Sequence, residues 1–214
     1  MKIWRFLGSM NFPHAKFYVK EDLENGCITP QFLLDRFKFL DENSRESYEY
    51  TDPNHIPYYY YLGKHFKSDS LLEFGFGLGL FGCCYVLGNP DVKSWLAFQE
   101  KTEVYYSHRI AISNVREVYS KDREFNLYYG KFYDKEFQYL LKSYKLIIIN
   151  EKFGYDSYMN LLDLCWEHLE ENGIISIGFL KDKNINKIYS DFCLKKNREQ
   201  FVIQTRLGNG IISK

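Results

Sequence analysis

The stretch Leu71-Leu72-Glu73-Phe74-Gly75-Phe76-Gly77-Leu78-Gly79-Leu80-Phe81-Gly82 leaves a chain few ways to fold. An apolar run ends in an acid, three glycines follow at alternate positions, and a second apolar run begins. Short apolar runs bounded by glycine suit a buried strand, a very tight turn and the start of a helix. Glycine lets the backbone take positive φ there, and lets a ligand approach the main chain without meeting a Cβ. The turn is not a P-loop, because no Gly-Lys-Ser/Thr closes it. The dinucleotide fingerprint would need Gly or Ala where Leu80 stands. What remains is acidic-x-Gly-x-Gly-x-Gly.

From Ser68 onward the chain alternates strand and helix, which predicts a parallel sheet covered on both faces. The pattern places strands at 70–74, 93–99, 124–129, 145–149 and 174–177. Helices are expected at 78–87, from 103 to about 119, near 134–142, across 156–170 and near 183–196. Glu171-Asn172-Gly173 turns the chain into the fifth strand. Gly208-Asn209-Gly210, between apolar runs at 200–206 and 211–214, predicts a closing antiparallel hairpin. Upstream, 2–7 and 15–20 read as short strands, with Phe17 and Val19 alternating against Lys16, Tyr18 and Lys20. Thr29-Pro30 starts a helix running towards Leu40, with Thr at the N-cap and Pro at the first helical position. The tyrosine run Tyr58 to Tyr61 belongs to a further helix over 57–66.

The acidic and glycine pattern, set on a strand, turn and helix and followed by this element order, resembles the class I S-adenosylmethionine-dependent methyltransferases over about residues 68–214. The expected fold is α/β: a Rossmann-like sheet of parallel strands with a C-terminal antiparallel hairpin, flanked by helices. Residues 1–67 are expected to form a small α+β extension (hairpin and helices) packing on a cofactor-binding domain of residues 68–214. The resemblance implies S-adenosylmethionine as cofactor, its amino-acid end against Gly75, Phe76, Gly77 and Gly79. Glu73 would hold the loop or receive the cofactor's ammonium, directly or through water. An acid at the end of the second strand would bind both ribose hydroxyls, because a carboxylate accepts two hydrogen bonds side by side. Gln99 and Glu100 compete for that place. Thr102 reads as the next N-cap, and in similar proteins the ribose acid stands two residues before the cap, which selects Glu100. Phe132 falls where the family binds adenine; core packing is its other reading.

Beyond the fourth strand, Asn150-Glu151-Lys152-Phe153-Gly154-Tyr155 is similar to the D-x-x-K-x-x-Y pattern of catechol and caffeoyl-CoA O-methyltransferases. Lys152 and Tyr155 stand at the matching spacing, but Ile149 occupies the metal-ligand position. Gly178-Phe179 replace that family's later Asp-Asn pair. A hard cation needs several oxygen ligands, so methyl transfer is expected to proceed without metal. Asn150, Lys152 and Tyr155 are the catalytic candidates: Asn150 to orient a nucleophile, Lys152 as a base or as an anchor for an anionic substrate. Tyr58 to Tyr61 either line the acceptor's mouth or cover the sheet edge.

Balanced charge, with 28 Lys+Arg against 28 Asp+Glu, argues against a broad electrostatic grip on nucleic acid. Aromatic residues make up 19% of the chain and are read first as packing material. The five cysteines show no C-x-x-C pair, which suits a reducing, cytoplasmic setting. No apolar run approaches the roughly 20 residues a membrane span requires. The expected partners are a small-molecule or protein methyl acceptor and a second copy docked through the N-terminal extension. The alternative is a non-catalytic protein that keeps the fold for assembly or binding.

Overall fold

The computed structural model describes residues 12–25, 28–37, 55–100, 105–205 and 207–214. Its centre is a seven-stranded sheet in the order β3-β2-β1-β4-β5-β7-β6. The strands are β1 (Ser70–Phe74), β2 (Ser94–Glu100), β3 (Glu124–Gly130), β4 (Tyr144–Ile149), β5 (Leu169–Ile177), β6 (Phe201–Ile203) and β7 (Asn209–Ser213). The first five run parallel, and β7 lies antiparallel between β5 and β6. The strand order reverses between β1 and β4, which opens a crevice at their carboxyl ends.

The sheet is buried on both sides because its side chains divide by alternation into two cores. Leu71, Trp95, Ala97, Leu146 and Ile148 face one core. That face is covered by α1 (Phe12–Glu24), α2 (Pro30–Leu34), α3 (His55–His65), α4 (Leu80–Gly88) and α5 (Tyr105–Val118). Leu72, Phe74, Phe98, Ile147 and Ile149 face the other. There they meet α6 (Lys135–Gln138), α7 (Tyr155–Glu167) and α8 (Lys183–Lys195). No helix among the described residues is long and apolar enough to cross a membrane.

Upstream of the sheet the structure corrects the expected hairpin. Residues 15–20 lie inside α1, and 2–7 fall outside the described residues. A five-residue alternation fits either period, whereas Val19 and half-buried Leu23, four apart, mark a helical stripe on the core. Tyr18 stacks on His65 at 5.6 Å, and Asp22 accepts from Lys64 at 3.1 Å and bonds His65 at 2.7 Å, tying α1 to α3. Burial acts to raise the Asp22 carboxyl, but the bonds from His65 and Lys64 outweigh it and hold the group below its ordinary value. Helix α2 starts as expected, Phe32 N donating to Thr29 Oγ1 at 3.2 Å, but ends at Leu34.

Downstream, the helix foreseen at 134–142 is the single turn α6. Glu171-Asn172-Gly173 sits inside β5 as a bulge, with Asn172 at φ 61° and a register shift against Tyr144 and Leu146. The hairpin turns at residues 204–208, so Asn209 and Gly210 already belong to β7.

Candidate active site

Three positive φ angles, 80° at Gly75, 51° at Gly77 and 72° at Gly79, carry the chain from β1 into α4. A Cβ on Gly75 would stand 2.4 Å from the Asn150 carbonyl oxygen, so the loop closes directly on the end of β4. Gly75 N and Phe76 N both donate to Phe98 O, at 3.1 and 3.2 Å, fastening the loop to β2. Phe76 itself is core: its ring meets Trp95 at 6.0 Å and Phe125 at 5.8 Å. Gly77 is the exposed point of the turn.

Glu73 lies on the α4 face of β1, fully buried, with Oε1 accepting from Gly82 N at 3.2 Å in the first turn of α4. Of its two expected roles, holding the loop matches this position; an enclosed carboxyl is not presented to a ligand's ammonium. Burial pushes it up to about 8, while the Gly82 amide and the Trp95 indole pull the other way. Among the described residues neither Oε2 nor the Trp95 indole nitrogen makes a hydrogen bond of full geometry, so the indole acts on the carboxyl by proximity.

At the end of β2, Gln99 rather than Glu100 reaches the loop. Gln99 Oε1 accepts from Gly77 N at 2.7 Å, and its Nε2 donates to Glu151 Oε2 at 3.3 Å. The reason is the two-residue period of the strand: Trp95 and Ala97 pack on the α4 side, and Gln99 follows them. That signal was present in the sequence. The Thr102 cap that favoured Glu100 lies outside the described residues. Glu100 is half-buried and near enough to act on Glu151, whose carboxyl burial pushes up and the Glu100 charge pushes further. Gln99 and Glu151 therefore gather acceptor oxygens beside exposed Gly77, with Glu100 close enough to Glu151 to act on its charge, a set chemically suited to hydroxyl and ammonium donors.

The three catalytic candidates do not stay together. Asn150 is 8% exposed at the end of β4, its Oδ1 accepting from Tyr59 OH at 2.8 Å. Its Nδ2, buried as well, has no partner among the described residues. Lys152 is exposed and turned to Asp182, Nζ to Oδ2 3.4 Å. Tyr155 is also exposed and donates to Asp191 Oδ2 at 2.7 Å on α8. Phe132 is packed against Phe153 at 5.6 Å, at the edge of the second core.

Of the two readings of the tyrosine run, packing on the sheet describes Tyr58 and Tyr59, and the sequence did not indicate their hydrogen bonds to the strands. Tyr58 and Tyr59 are fully buried; Tyr58 OH and Ser176 Oγ are 2.8 Å apart, and Tyr59 packs on Phe81 at 5.2 Å. Asn209 Nδ2 approaches Tyr59 OH at 3.5 Å, and Thr205 Oγ1 donates to Asn209 Oδ1 at 2.8 Å. Burial pushes both phenols well up, so they serve as neutral hydrogen-bonding groups. Among the described residues no group of three His, Cys, Asp or Glu gathers in a metal-holding arrangement.

No protein-family model and no curated protein sequence matches the chain. Solved structures do. The SAH-bound methyltransferase PaMTH1 of Podospora anserina superposes with a TM-score of 0.67 at 14% identity, over 96% of this chain and 98% of that one. An O-methyltransferase of Bacillus cereus in complex with SAH gives 0.61 at 13% identity, over 94% and 100%. The O-methyltransferase TomG of Streptomyces achromogenes, in complex with SAM, gives 0.61 at 9% identity, over 93% and 97%. The fold is that of the class I methyltransferases.

Proposed function

We propose that this chain is an S-adenosylmethionine-dependent methyltransferase, acting without a metal on a small-molecule or protein acceptor. The observation that carries it is the glycine loop: three positive-φ glycines closed on Asn150, with Gly77 exposed and the oxygens of Gln99 and Glu151 beside it. SAH or SAM is bound in the neighbours of this fold. The residues present suit such a ligand. Gln99 and Glu100 offer acceptors to a ribose diol, Glu151 offers a carboxyl to an ammonium, and Gly77 leaves the main chain open. Bound there, the cofactor supplies an electrophilic methyl group on a sulfonium. Asn150, held by Tyr59, would present its amide to the acceptor, and in-line positioning accounts for much of the rate such a site can give.

A second reading is a non-catalytic protein of the same fold. It is favoured by Tyr58 and Tyr59, which fill the space beside Asn150, and by the Gln99–Glu151 bond that spans the crevice.

Calorimetry with S-adenosylhomocysteine separates the two. A dissociation constant of about 1–100 μM, or roughly 5.5–8 kcal/mol, is expected. Gly77→Val should abolish it while the protein stays folded, at a cost of about 1–2 kcal/mol for a side chain in the left-handed region. Absence of heat and of thermal stabilisation at millimolar ligand would remove the enzyme reading and leave the scaffold.

A further inference from the structure

A groove of about 590 Å³ opens at the carboxyl edge of the sheet, between the first turns of α8 and the loop that joins β6 to β7. Leu180 and Val202 give it an apolar floor, Gly208 forms one wall, and Lys181, Lys183 and Lys187 line it. No acid lines it among the described residues. The acids nearest in sequence are already engaged. Asp182 caps α8, accepting from Asn184 N at 3.0 Å, and pairs with Lys152. Asp191 takes the Tyr155 hydroxyl. Three lysines on one concavity thus lack a counter-charge from its walls, while the chain as a whole is neutral.

The loop on one side is held to the sheet, Leu180 N donating to Gly208 O at 3.1 Å and Lys181 N to Leu207 O at 2.9 Å. The groove is therefore built by backbone bonds rather than by a surface accident. Its volume falls in the range of small-molecule sites, about 300–1,000 Å³. β5 lies two strands from β1 and β6 four, so the groove stands about 10–20 Å along the sheet from the glycine loop. That is within the length of a small organic molecule.

We propose that this groove binds an oxyanion-bearing small molecule, a carboxylate or a phosphate or sulfate ester, through Lys181, Lys183 and Lys187. On the methyltransferase reading, which this step rests on, that molecule is the methyl acceptor, its charged end in the groove and its nucleophilic end at the crevice where β4 ends.

The test titrates inorganic pyrophosphate into the full chain by calorimetry, at low and at physiological salt, with S-adenosylhomocysteine titrated separately. Wild type binds, more weakly as salt rises. The triple variant Lys181→Gln/Lys183→Gln/Lys187→Gln binds about tenfold more weakly or not at all. Gln204→Glu, which adds an acid to the same lining, weakens it as well. Arg116→Gln/Lys121→Gln, in the other basic groove between α5 and β3, leaves it unchanged. Equal affinity in the triple variant, no binding by wild type, or a loss confined to the α5 groove overturns the proposal. Pyrophosphate binding without S-adenosylhomocysteine binding keeps the groove and removes the methyltransferase reading; the reverse result does the opposite.

Discussion

Glu73 is a carboxyl buried with no cation at its side among the described residues, and this should be visible in the stability of the whole protein. Its neighbours Cys83, Cys84 and Tyr59 are themselves pushed up by burial and stay neutral, so none supplies a counter-charge. The folded value is about 8 against an ordinary 4.5. A raised folded value means that the native state holds a proton the unfolded chain gives up. Stability is then full below pH 4.5 and is lost as pH rises towards 8. Linkage with these two values gives a loss of about 2.5 kcal/mol between pH 5 and 7, or about 1 M in urea midpoint. Glu73→Gln cannot titrate and should flatten that part of the profile. Its absolute stability is less informative, because one amide hydrogen would face the Trp95 indole N–H, a mismatch costing about 1–3 kcal/mol. The assay is urea unfolding of both proteins at half-unit pH steps, and the readout is the difference in slope. Parallel profiles from pH 5 to 7 would refute the reasoning: the α4 amides and the Trp95 indole would then be enough to keep Glu73 charged.

Gly75→Ala should destabilise the fold by about 3 kcal/mol or more, combining left-handed strain with a Cβ against the Asn150 carbonyl; an unchanged melting temperature would mean that the loop is free of β4. Gln99→Ala should weaken S-adenosylhomocysteine by about 1–3 kcal/mol, and Glu100→Ala by about 1 kcal/mol or less; calorimetry showing the opposite ranking would return the ribose role to Glu100. Methyl transfer, followed as S-adenosylhomocysteine formed, should survive EDTA and gain nothing from magnesium, because Ile149, Gly178 and Phe179 stand where the resembling enzymes hold oxygen ligands; strict restoration by magnesium after chelation would sink this.

β1 and β4 were legible almost residue by residue, because both are buried on both faces and leave apolar runs broken only by Glu73 and Lys145, whereas β5 begins five residues before its expected start. The glycine turn was legible for a related reason: few sequences other than alternating glycine sustain three positive φ angles in five residues. What failed was decided by tertiary contacts. Residues 15–20 have too few apolar positions to fix a period, and it is docking of Val19 and Asp22 against the body of the protein that makes α1 a helix. Lys152 and Tyr155 matched a motif in spacing, but spacing does not say which neighbour takes a flexible side chain. Asp182, 30 residues beyond Lys152, and Asp191, 36 beyond Tyr155, bond these side chains. Gln99 was recoverable by counting outward from Trp95 along the strand.

The pair Tyr59–Asn150 narrows the chemistry left to the crevice. A carboxamide cannot accept a proton as a base at neutral pH, and the phenol that holds it is pushed further from ionisation by burial. Lys152, the other candidate base, is occupied at the solvent side by Asp182. Neither Asn150 nor Lys152 is therefore poised to deprotonate an acceptor; the remaining carboxyl at the end of β4 is half-buried Glu151, which accepts from Gln99. Without Glu151 as base, an acceptor methylated here arrives already nucleophilic, as an amine, a thiolate or an oxyanion. The Nδ2 of Asn150, buried and without a partner among the described residues while Oδ1 accepts from Tyr59, can only donate a hydrogen bond to an acceptor that reaches it. Such a donor lowers the reactivity of the lone pair it binds, so its use is to aim a second lone pair of an oxygen or sulfur along the line of transfer. A neutral amine has one lone pair and cannot both accept from Asn150 and attack. Of the three acceptor types, the amine is the one this geometry serves least.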